Sequence, residues 1–133
     1  MAITRDLFAA RNRAFDTVLE LDYPGDELPL TGAIISMQVR LYAGAGGPPI
    51  FEQTGITFSD AAIEDEPGWR RLTVEPNFPR SDLEAGTVPT GLNKPEVGEA
   101  DRFEYEITLT YADSVQETLW TGGFYLQPGV DLT

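Results

Sequence analysis

From Phe15 onward this chain is apolar at every second residue through one segment after another, a period that strands satisfy by turning alternate side chains to one face. FDTVLELD sets Phe15, Thr17, Leu19 and Leu21 against Asp16, Glu20 and Asp22. LPLTGAIISMQVRLY, Leu28 to Tyr42, repeats the pattern at greater length, with Ala33, Ile35, Met37, Val39 and Leu41 on one side and Ser36, Gln38 and Arg40 on the other. IFEQT, ITFSDA and WRRLTVE read as shorter strands. The strongest pair closes the chain: FEYEITLTY and QETLWTGGFYL, joined by the turn ADS, form a hairpin. Gly122 and Gly123 interrupt its second strand and predict a bulge or the close approach of another backbone.

Between these segments lie turn formers: YPGDELP, AGAGGPP and the acidic IEDEPG. Residues 76–102 carry Pro76, Pro79, Pro89 and Pro95 with Gly86, Gly91 and Gly98. Within them SDLEAG fits one helical turn, capped by Ser81, with Glu84 three residues on and Gly86 as the stop. The remainder is a long loop and a candidate contact surface, with Val88, Leu92, Lys94 and Val97 as its candidate partner contacts. Residues 1–14 carry Arg5, Arg11 and Arg13 against Asp6, a small basic arm with Leu7, Phe8 and Ala10 apolar and Thr4 as a cap. A short amphipathic helix fits them, and helices of that length need a surface to lie on, either this chain's body or a neighbour's.

A length of 133 residues suits one domain. Strands with one apolar face, and no helices to cover a sheet, leave sheet-on-sheet packing as the way to build a core. The expectation is an all-β fold, an antiparallel immunoglobulin-like β-sandwich over 15–133 with the arm at 1–14; a small barrel is the alternative.

The chain has no cysteine and no histidine, which removes disulfides, Ser-His-Asp and Cys-His nucleophile systems and nearly every zinc site. Its formal charge of −13 argues against a phosphate backbone as ligand, so no nucleic-acid partner is expected. No run of about eighteen apolar residues is present, and MAITRDLFAARNR lacks the apolar core of a secretory signal; no membrane partner and no Sec export are expected.

Carboxylates remain. Glu104 and Glu106, two apart on one strand face, stand about 6–8 Å apart, near the spacing of an inverting glycosidase pair, but a solvated face rich in Glu and Thr explains them better. Asp60, Glu64, Asp65 and Glu66 lack the spacing of a calcium loop, and GAGG has no Lys-Ser or Lys-Thr after it to hold a phosphate. No catalytic residue, cofactor or metal is assigned, and the chain is expected not to be an enzyme. Trp69 and Trp120 fit a core or sheet face; because Trp120 follows Leu119, one of the two should point outward, and an exposed Trp120 would mark a contact patch. With Trp120, the arm residues Arg5, Leu7, Phe8, Arg11 and Arg13 complete the candidate partner contacts.

Three segments resemble a known family. LPLTGAIISMQVR looks like the Leu-Thr-Gly-Ala strand that opens the N-terminal domain of siphophage baseplate upper proteins and related tail-fibre adaptor domains. SDLEAG is similar to that family's turn ending in Gly, and FEYEITLTYADSVQETLWTGGFYL to its closing hairpin. Thr87 to Arg102 depart from the family's pattern, where the Gly turn runs almost directly into the aromatic strand. The resemblance implies an immunoglobulin-like domain in a structural phage virion protein of the tail, baseplate or fibre-attachment region. Such a protein assembles in the host bacterial cytoplasm with other virion proteins and with copies of itself. The expectation is a free-standing adaptor without a long C-terminal stalk. A capsid decoration or head-to-tail joining protein is the alternative, and a carbohydrate-binding module for host-surface glycan is the reading from another class.

Overall fold

The computed structural model describes residues 2–93 and 95–133; Lys94 lies outside the described residues. The larger sheet has the order β1 (Ile3–Thr4), β11 (Gln116–Gln127), β10 (Asp101–Thr110), β5 (Ile34–Arg40), β6 (Phe51–Gln53), with β2 (Leu7–Ala10) also on β11. The second sheet has the order β4 (Leu19–Pro24), β8 (Trp69–Glu75), β7 (Thr57–Ala62). A small pair, β3 (Phe15–Asp16) with β9 (Asn77–Phe78), stands apart from both sheets.

The long strands of the body change sheet as in the immunoglobulin plan: β4 lies in the second sheet, β5 in the large one, β7 and β8 in the second, and β10 and β11 in the large one. In that plan strands B, E and D form one layer and C, F and G the other; here β4, β8 and β7 stand opposite β5, β10 and β11. The molecule is an immunoglobulin-like β-sandwich. Its large sheet is mixed, not antiparallel throughout, because β1 and β2 run parallel to β11.

The alternation seen in the sequence is the burial pattern. Leu19, Leu21 and Tyr23 of β4, Ile35, Met37 and Val39 of β5, and Phe103, Tyr105, Ile107 and Leu109 of β10 are buried, while their neighbours are partly or fully exposed. Strand β10 does not face β5 across the core; it is β5's hydrogen-bonded neighbour, with Ile107 beside Met37. Aromatic packing joins the β3–β9 pair to the large sheet: Phe15 touches Phe124, Phe78 touches Phe51 and Phe124, and Phe51 touches Phe103, with ring centroids in the cluster 5.3–6.3 Å apart. Offset and edge-on pairs of this kind add about 0.5–1.5 kcal/mol each beyond their area burial.

Three local expectations change. Residues 2–14 hold strands β1 and β2 instead of a helix. The helical turn α1 spans Arg80–Leu83, with Pro79 at its N-cap and no side-chain cap, so Ser81 lies inside the turn and caps nothing. Trp120 and Leu119 are both buried, at 1% exposure each, so neither points out. The reason is a bulge: Ile107 pairs with Trp120 and Thr108 with Thr118, which leaves Leu119 without a cross-strand partner and turns two successive side chains inward.

Candidate contact surfaces

The N-terminal segment lies on its own body. Leu7 and Ala9 point into the core and Phe8 points out. Between β1 and β2 the backbone bows over Gly122 and Gly123. The Arg5 amide donates to the Thr121 carbonyl at 2.9 Å, the Tyr105 hydroxyl donates to the Arg5 carbonyl at 2.6 Å, and the Gly123 amide donates to the Asp6 carboxylate at 2.9 Å. A methyl group at Gly122 would overlap the Arg5 carbonyl group, whose carbon would lie 2.9 Å away. The two glycines therefore mark a close approach of another backbone, the second of the alternatives above.

At the end of β2 the alternation of Leu7 and Ala9 continues into Arg11, which is buried at 6% exposure. Its guanidinium donates to the Asp101 carboxylate at 3.0 Å, to the Val88 carbonyl, and to the Pro89 carbonyl at 3.3 Å. Asp101 also accepts from the amides of Gly91 and Asn93, at 3.0 and 3.2 Å. The Asn93 side-chain amide donates to the carbonyls of Leu41 and Arg102, where β5 and β10 part. One buried ion pair thus ties the N-terminal segment, the long loop and β10 together.

Of the candidate contacts, Leu7, Arg11, Val88 and Trp120 are buried within the chain's own fold, which corrects their placement on an outward surface. Arg13 is exposed and sits 3.8 Å from Asp131. Arg5, Phe8, Leu92 and Val97 are exposed, and Lys94 lies outside the described residues. The structure brings a group together that the sequence pattern did not suggest. Phe8, 60% exposed, stacks on Tyr125 with centroids 5.0 Å apart and planes 16° apart, and Arg102 covers the other side of Tyr125 at 5.5 Å. The register that places Phe8 beside Tyr125 makes this row, and it lies beside the edge strand of the large sheet. Val130 and Leu132 of the C-terminal tail are also exposed, and the tail is held near the end of β2 by the Asn12 side-chain amide, 2.7 Å from the Asp131 carbonyl.

Three of the carboxylates considered above have local partners. Glu104 pairs with Arg102 at 3.1 Å, and Glu106 accepts from Thr118 at 3.1 Å. Asp60 accepts from the Tyr23 hydroxyl at 2.7 Å and from Arg70 at 3.3 Å. Among the described residues no group of three or more acidic side chains could hold a metal ion.

Burial holds the Tyr105 hydroxyl up to a pKa of about 12, and burial with the neighbouring Glu117 carboxylate holds Tyr111 up to about 12. Burial first, then the hydrogen bond to Asp60, raises Tyr23. Between the ordinary value near pH 10 and about pH 12 the folded chain keeps protons that the unfolded chain releases, so stability falls as pH rises through that window. A spectrophotometric phenolate titration should show Tyr105 and Tyr111 ionising near pH 12 in the folded protein, with the urea midpoint dropping steadily above pH 10.

No protein-family model matches this chain, and no curated protein matches it. Among solved structures it overlaps the CFA/I adhesin CfaE of enterotoxigenic E. coli, in a mutant form, with a TM-score of 0.34 and 8% identity over 95% of this chain and 46% of that one. This chain thus spans less than half the length of that adhesin. It also overlaps AggA, the major subunit of the aggregative adherence fimbriae type I of E. coli, with a TM-score of 0.33 and 7% identity over 92% of this chain and 89% of that one. Overlaps this slight carry no functional argument.

Proposed function

We propose that this chain is a non-catalytic structural subunit of a bacteriophage virion, sited in the tail, baseplate or fibre-attachment region and working by assembly with neighbouring subunits. The observation that carries the assembly part is the Phe8 row. An exposed aromatic, backed by Tyr125 and Arg102 beside a sheet edge, has the residue chemistry that dominates protein–protein binding energies. The row is preorganised, because the strand pairing fixes all three backbones before any partner arrives. The siting is supported by the resemblance of the Leu30-Thr31-Gly32 entry and the closing hairpin to baseplate upper proteins. In the entry the Ala33 amide donates to the Leu30 carbonyl at 3.0 Å with Gly32 at φ +77°, a turn that needs glycine at that position.

Mass spectrometry of gradient-purified phage particles tests this. The chain is expected in intact tailed particles, and a Phe8→Ser variant is expected to incorporate about tenfold less. That variant should stay folded, since it loses one stacking contact worth about 0.5–1.5 kcal/mol. Recovery from tailless capsids alone would move the chain to decoration or joining, and absence from all particles would sink the proposal.

A further inference from the structure

The outer face of the large sheet carries a cleft of about 590 Å³ over β5, β10 and β11. Its floor is polar, with Gln38, Glu104, Glu106, Thr108 and Thr118 among the lining residues, and one wall is the loop that begins at Tyr42. Arg40 holds that wall: its guanidinium donates to the carbonyls of Ala45 at 3.0 Å and Gly47 at 2.6 Å, and to the Gln38 side-chain oxygen at 3.0 Å. Arg40 is the only cation among the described lining residues, which include the carboxylates of Glu104, Glu106 and Glu117; Glu104 is paired from outside the lining by Arg102 at 3.1 Å.

These features restrict what the cleft can take. Strand β10 is hydrogen-bonded to β11 and β5 on its two sides from Glu104 to Thr110, so the cleft floor offers no open edge for a peptide strand to join. Its polar floor residues are a poor seat for an apolar protein anchor residue. Carboxylates, amides and hydroxyls are strong acceptors, and carboxylates in the lining disfavour close approach of sulfate, phosphate and carboxylate groups. The complementary ligand is rich in hydroxyl donors, free of negative charge and long enough for a cleft in the ordinary ligand size range. It also needs a C–H face for the ring of Tyr42, which is 60% exposed at the rim.

We propose that this cleft is a binding site for uncharged oligosaccharides, with Gln38, Glu104 and Glu106 accepting sugar hydroxyls and Tyr42 lying against a sugar ring. The site adjoins the Phe8 row through the Arg102–Glu104 ion pair but shares no lining residue with it, and it does not depend on the assembly role. The test is an array printed with uncharged hexose and N-acetylhexosamine oligosaccharides beside sialylated and sulfated ones, probed with the full chain. Binding is expected to at least one uncharged oligosaccharide and to none of the acidic ones. It should weaken about tenfold or more in Tyr42→Ala and in Gln38→Ala and persist in Phe8→Ser. Tyr42 sits in an exposed loop, so its variant keeps the fold and carries the test even if Gln38→Ala unfolds. Silence on every uncharged glycan, preference for acidic glycans, or binding unchanged in Tyr42→Ala would each overturn the site.

Discussion

Arg11→Ala is expected to destabilise the folded chain by about 3–5 kcal/mol, because it leaves the Asp101 carboxylate buried without its cation. The side chains of Arg11 and Asp101 are 6% and 4% exposed, so solvent can compensate little. A domain of this size has about 5–15 kcal/mol in total, which makes this one contact a large share of it. The same change removes donors to the carbonyls of Val88 and Pro89 and should loosen the loop that follows. Urea unfolding measures the first effect, and limited proteolysis between Pro89 and Val97 measures the second. The pair itself need not be strongly net stabilising: taking two charges out of water costs nearly what their attraction returns. The double variant Arg11→Met with Asp101→Leu should therefore lose less than either single change. A double variant as damaged as the sum of the two would contradict that account.

The second large effect is at Gly122. A side chain there meets the Arg5 carbonyl, the acceptor of the Tyr105 hydroxyl. Gly122→Val should cost about 3 kcal/mol, at the upper end for an overpacked site, and should detach β1 and the start of β2 from β11. Hydrogen exchange would show it as lost protection at Arg5, whose amide donates to Thr121 at 2.9 Å. Gly123 is not equivalent. A Cβ there meets the Tyr125 ring at 3.0 Å and the tips of the Asp6 and Arg102 side chains at 3.1 and 3.2 Å, groups that can shift, so Gly123→Ala should cost distinctly less.

The sandwich was legible because alternation is local. Strands β4, β5 and β10 each declare their inner face within a few residues, and burial follows that declaration closely. Pairing was less legible. That β10 lies beside β5 depends on connections that an apolar pattern does not encode. The N-terminal strand was missed for a different reason. Leu7, Ala9 and Arg11 are spaced two apart and all are buried, so the period was present, but its third member is a charged residue and its partner strand lies over a hundred residues away. Two signals pointed to it, the alternation and the glycine pair at 122 and 123, which lack a structural role unless another backbone passes over them. Trp120 could not have been placed from spacing, since a single bulge at Leu119 reverses the face of every residue after it.

The contact row follows from the same missed strand. Phe8 sits within the short apolar run Leu7 to Ala10, and only the parallel register with β11 sets it against Tyr125 and Arg102. Arg102 was read as the last residue of a loop, whereas it belongs to β10 and carries one flank of the row. The cleft, in turn, draws on residues from three strands and a loop, including Glu104 and Glu106, whose shared face was visible and whose neighbours were not.

Photo-crosslinking from position 8 tests the central claim most directly. With a benzoylphenylalanine in place of Phe8, and particles assembled in cells before irradiation, the account predicts a covalent adduct between this chain and another virion protein or a second copy of itself. Efficient incorporation with only intramolecular products, or with none, would contradict it.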